Sequence, residues 1–137
     1  MNMLKKILLP IILCFWITSS SAQNISTYSI QWNISKVFNA ETGETVEGPQ
    51  FILTGGSTVQ WKDVQGNIKH TYSISETIGS WTNVNQSGAI LYKINSGEVE
   101  GNIEISKSGD GRKIRIILVG ESSTETVELT ISSFQVL

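Results

Sequence analysis

The sequence holds one cysteine, one histidine and two prolines. Cys14 lies inside an N-terminal apolar run, so the rest of the chain has no thiol. No disulfide can brace such a fold, and burial and strand pairing must supply its stability. His70 alone is too little for an ordinary His/Cys zinc site, and neither a metal nor a cofactor is expected. No G-x-S-x-G or other nucleophile elbow occurs, and the chain reads as non-enzymatic. Charges are scattered singly, without the basic stripe that nucleic acid requires. After residue 22 no stretch keeps a helical apolar period over three turns, which argues against a helical domain.

What is present begins with a leader. Lys5 and Lys6 precede a mostly apolar stretch from Ile7 to Ile17, and Ser20-Ser21-Ala22 supplies small residues for cleavage. The run is too short for a membrane anchor, so residues 1–22 read as a signal peptide and the protein as secreted or periplasmic. Cys14 follows Leu13 rather than a small residue, which does not suit lipid attachment. Cleavage takes 22 of 137 residues and leaves 115, enough for one domain over 23–137. Removing Lys5 and Lys6 from ten Lys and Arg, against twelve Asp and Glu, takes the formal charge from −2 to −4.

The body of the chain alternates. In "TVQWKDVQGNIKHTYSI" the residues Val59, Trp61, Ile68, His70, Tyr72 and Ile74 share a face, with a turn at Gln65-Gly66. Matching apolar faces sets Trp61 opposite His70, Val59 opposite Tyr72 and, outside, Lys62 opposite Lys69. A second hairpin, turning at Ser96-Gly97, sets Ile94 against Val99, Ile90 against Ile103, and Tyr92 over Gly101. A third, at "SGDG", sets Ile105 against Ile114, Ile103 against Ile116 and Gly101 against Leu118. A last turn near Glu121 to Thr124 sets Leu118 against Val127, Ile116 against Leu129 and Ile114 against Ile131. The opposite face is polar apart from Leu91, Ile117 and Val119.

With no helix to cover it, the apolar face must cover itself. Sequential hairpins favour an all-β, antiparallel up-and-down barrel of about eight strands, with a two-sheet sandwich as the alternative. Tyr28, Ile30, Trp32 and Ile34 supply a closing strand. Its phase slips near Ser35-Lys36, and a second slip falls at Ser132-Ser133; bulges there would bend the strands for closure. "ETGETVEGPQ" reads as a loop before a short strand, Phe51-Ile52-Leu53.

The leader, "QFILTGGSTVQW" as a first hairpin, Gly79-Ser80-Trp81, "GAILYKI" and two further hairpins resemble the small secreted lipocalin-like barrels of bacteria. The resemblance spans roughly residues 28–136. Trp32 follows Ile30-Gln31, where true lipocalins have G-x-W at the first strand, and no C-terminal helix is evident. The resemblance implies a cup with an apolar interior, open at one end, that holds a small apolar molecule.

The aromatic residues carry the functional reading. Trp61, His70, Tyr72, Trp81 and Tyr92 project mostly inward and could line a pocket with polar tips. The same side chains could instead fill the barrel, since eight strands enclose a space about that wide. The first alternative is an exported binder of a small apolar ligand. The second is a structural or protein-interaction module, or an inhibitor, with a filled core. Asp63 lies diagonally from His70, yet a triad would still need a placed serine. Glu98, Glu100 and Glu104 fall on the wet face and read as solvated.

Overall fold

The computed structural model describes residues 24–109 and 111–137. The expected signal peptide, residues 1–22, lies outside the described residues. A 3-10 turn at Ile25–Thr27 precedes eight strands. These are β1 (Ile30–Asn39), β2 (Thr45–Gly55), β3 (Thr58–Lys62), β4 (Ile68–Ile78), β5 (Gly88–Ser96), β6 (Val99–Ser108), β7 (Gly111–Val119) and β8 (Thr124–Val136). Every neighbour pair is antiparallel and β1 pairs with β8, so the sheet is one closed up-and-down barrel and not a sandwich.

Closure buries the apolar face as a continuous core. Trp32, Ile52, Val59, Ile103, Ile105, Ile114, Ile116 and Leu129 have no exposed surface. Trp32 donates its indole N–H to Thr54 Oγ1 at 2.9 Å, which satisfies both buried groups. The outward face carries Lys93, Glu104, Arg115, Glu128 and Thr130.

The predicted register holds in two hairpins. Trp61 faces His70 and Val59 faces Tyr72. Ile105 faces Ile114, Ile103 faces Ile116 and Gly101 faces Leu118. In the other two the strands sit two residues from the expected pairing. Ile94 faces Gly101 and Tyr92 faces Ile103 across β5 and β6; Ile116 faces Val127 and Ile114 faces Leu129 across β7 and β8. A slip of two keeps every side chain on its face, so apolar alternation is blind to it. The turn decides instead. Gly97 takes φ +65° as the first central residue of a two-residue loop, the type II′ position, and so moves the turn to Gly97-Glu98. Tyr92 therefore does not cover Gly101.

Both anticipated bulges are present. Ser35 is the extra residue of β1, and Ser132 that of β8. Three more were not anticipated, one of them at Ser75, the extra residue of β4 where it pairs with β5. Gly48 and Pro49 together oppose Ser35, which admits a proline inside β2 and makes Thr45–Gly55 one long strand where a loop was expected. Lys69 is the extra residue of β4, so Lys62 faces Ile68 and not Lys69. That bulge turns Ile68 outward, where it is 54% exposed. Tyr28 precedes β1 and is exposed rather than inward.

Candidate binding site at the open end

The two ends of the barrel differ. At one, residues 79–87 and the Ile25–Thr27 turn form a plug. Ile25 N–H donates to the Trp81 carbonyl at 2.8 Å, and the Asn24 side chain donates to the Gly79 carbonyl at 3.0 Å. The Trp81 ring stacks on Trp32, centroids 6.3 Å apart and 16° from parallel. It also lies across Gly88, where a Cβ would overlap the indole. The glycine covered by an aromatic ring is thus Gly88, and the ring is Trp81. Arg112 fixes the plug from β7, donating to the Val84 carbonyl and to Asn85 Oδ1, both at 3.2 Å, with its guanidinium over Phe134.

Trp81 is therefore a lid at the closed end, far along the barrel from Trp61. Tyr92 lies within the core, 2% exposed. Trp61, His70 and Tyr72 do come together, at the opposite end, where the connections 40–44, 63–67, 97–98 and 120–123 surround an opening. His70 stacks on Tyr72, centroids 5.8 Å apart, and tilts against Trp61 at 5.6 Å. Being at the rim, His70 is exposed rather than partly buried, while Trp61 and Tyr72 below it are buried. The Asp63 carboxylate is occupied by its own turn, accepting from the Gln65 and Asn67 amides at 2.9 Å, and does not orient His70.

These rings form one wall of a cleft of about 260 Å³. Ile116, Leu118 and Val127 form the facing wall, four strands away across the barrel, and Glu125 stands beside it. A second depression of about 210 Å³ shares Trp61, Glu125 and Val127 and extends to Asn39, Gln50 and Lys69. Below them, Trp32 and the isoleucine rows occupy the interior. The deep cup implied by the resemblance is therefore replaced by a shallow mouth over a filled barrel. A larger hollow of about 520 Å³ lies around Ser75, Lys93 and Asn102, without any aromatic residue.

Three residues of the mouth escaped the sequence reading. Gln50 accepts from the Trp61 indole N–H at 2.6 Å. Lys69, re-aimed by the β4 bulge, places its ammonium 4.9 Å from the Trp61 ring centroid and 3.4 Å from Gln50 Oε1. Glu125 accepts from Asn39 Nδ2 at 3.1 Å. Strict alternation puts Lys69 on the wet face, and only the β4 bulge brings it to the rings. Glu125 shares the inward phase of Val127 and Leu129, and closure of the barrel sets it across from the rings.

Burial pushes the Tyr72 phenol up to about 12 from 10.0, with Glu125 adding to the effect, and burial does the same at Tyr92. The folded state thus favours the neutral phenols. Their contribution to stability is complete below about pH 10 and is lost as the pH rises towards about 12. After allowance for solvent screening, each is expected to remove about 1–2 kcal/mol across that window. Denaturant unfolding at stepped alkaline pH should show this fall, and a Tyr72→Phe, Tyr92→Phe protein should lack most of it.

Comparison with protein-family models, curated proteins and solved structures finds no match for this chain.

Proposed function

We propose that this chain is an exported, non-enzymatic barrel that binds one small, mainly apolar molecule at its open end. The observation that carries the reading is the Trp61–His70–Tyr72 ladder, whose rings wall a cleft opposite aliphatic side chains. Its volume of about 260 Å³ lies just below the range of drug-sized sites, which suits a ligand of one or two rings. Export rests on the leader pattern of residues 1–22. The polar outer face and apolar interior are the reverse of a membrane-spanning barrel, which supports a water-surrounded protein. The His70 ring is engaged by stacking, which supports a recognition role over proton transfer.

N-Phenyl-1-naphthylamine, a neutral fluorescent probe, tests the reading. Its emission should rise and saturate near one probe per chain. His70→Ala, a change at an exposed position, should weaken binding about three- to tenfold by removing one stacked ring. Phe in place of Trp81, at the far end, should leave affinity unchanged. The filled interior also favours the second reading, a rigid scaffold that presents its end loops to another protein. Failure of this probe and of a panel of one- and two-ring compounds to saturate would select it.

A further inference from the structure

The mouth holds an unbalanced charge. Glu125 accepts a hydrogen bond from Asn39, a neutral partner, and no Lys or Arg among the described residues lies within ion-pair distance of it. The one ion pair among the described residues, Lys93–Glu76, is on the outer wall. Glu44 lines the same depression as Glu125. Each connection at this end carries an acid: Glu41 and Glu44, then Asp63, Glu98 and Glu121. Lys62 and Lys69 are the nearby cations, and Lys69 is engaged with Trp61 and Gln50. Of the closed-end connections, 56–57 and 79–87 carry no charge and 109–110 includes one acid, Asp110, in its sequence, while Lys107, Arg112 and Lys113 flank that connection. The field at the opening therefore attracts cations.

The aromatic wall has the same preference. Ring faces are electron-rich, and the Lys69 ammonium over Trp61 shows one of them already receiving a cation. His70 and Tyr72 continue that wall into the cleft, where no protein cation covers them among the described residues. Aliphatic side chains opposite suit an apolar body, and Glu125 is placed to meet a positive group on it.

We propose that the occupant of this cleft is a small organic cation, an apolar ring or short chain bearing an ammonium or amidinium group. Glu125 is its counter-ion and the Tyr72–His70 wall its π-face. The inference rests on the ligand-binding reading above and names its chemistry.

Phenyltrimethylammonium and tert-butylbenzene share a shape and differ in charge, so they separate the two claims. Binding is read from the Trp61 indole N–H resonance, and Glu125→Gln is the variant. Glutamine keeps an oxygen to accept from Asn39, and the position is exposed, so the fold is retained. The cation should bind at least about fivefold tighter than its neutral twin. That advantage should shrink between about 20 mM and about 300 mM salt. Glu125→Gln should weaken the cation about five- to tenfold and leave the neutral compound unchanged. Equal saturable binding of both overturns the cation inference and leaves the binding site standing. Binding of neither overturns both. A cation preference that survives Glu125→Gln overturns the role of Glu125.

Discussion

Trp32→Ala should destabilise the protein by about 3–5 kcal/mol, a large share of the roughly 5–15 kcal/mol that holds a domain folded. Trp32 has no exposed surface, so its removal leaves a cavity that strand pairing on both sides prevents from collapsing. It orphans the Thr54 hydroxyl, itself 3% exposed, at a further penalty. It also withdraws the support on which Trp81 stacks and a ring that packs on Phe134, 5.7 Å away, so the plug loosens with the core. Guanidinium unfolding followed by circular dichroism should find the variant's midpoint far below that of the parent protein. Thr54→Val should cost less, about 1–3 kcal/mol, because only the indole N–H loses its partner.

Gly101→Ala should cost roughly 2–4 kcal/mol, an unusual price for one methyl group. The backbone of Gly101 is ordinary and adopts no positive φ. What forbids a side chain is proximity: a Cβ there overlaps the Ile117 carbonyl oxygen and crowds Leu118 Cα. The opposing atoms are backbone held in the β6–β7 ladder, so no rotamer change relieves the contact. Gly111, at the other end of the neighbouring strand β7, is the control. Its nearest neighbour to a new Cβ is Ser108 oxygen at 4.0 Å, and Gly111→Ala should shift the unfolding midpoint little. A smaller loss at Gly101 than at Gly111 would contradict the steric exclusion of a side chain at Gly101.

The faces of the strands were legible in the chain because closure leaves one apolar side to bury. The phase slips at Ser35 and Ser132 were legible for the same reason, since a bulge exchanges odd for even apolar positions. Registers of β5–β6 and β7–β8 were not, because faces repeat every two residues; the Gly97-Glu98 pair held the missing signal. The Gly48-Pro49 bulge lies in polar sequence, where a slip disturbs no apolar pattern, and the Lys69 bulge was hidden because Ile68 fits strict alternation with His70 and Tyr72. The site was half legible. Trp61, His70 and Tyr72 share a hairpin, and their meeting follows from its register. Glu125 reaches them only across the closed barrel, and Trp81 leaves the group because its segment folds over the other end.

The central claim is that the barrel is solid and that recognition happens at its rim. Beyond residue 22 the chain has three tryptophans at three depths, Trp32 in the core, Trp81 in the plug and Trp61 at the mouth. Their indole N–H resonances, followed during titration with a bound ring compound, read all three positions at once. The Trp61 signal should move while those of Trp32 and Trp81 stay in place. Movement of Trp32 with Trp61 unperturbed would put the ligand inside the barrel and contradict it.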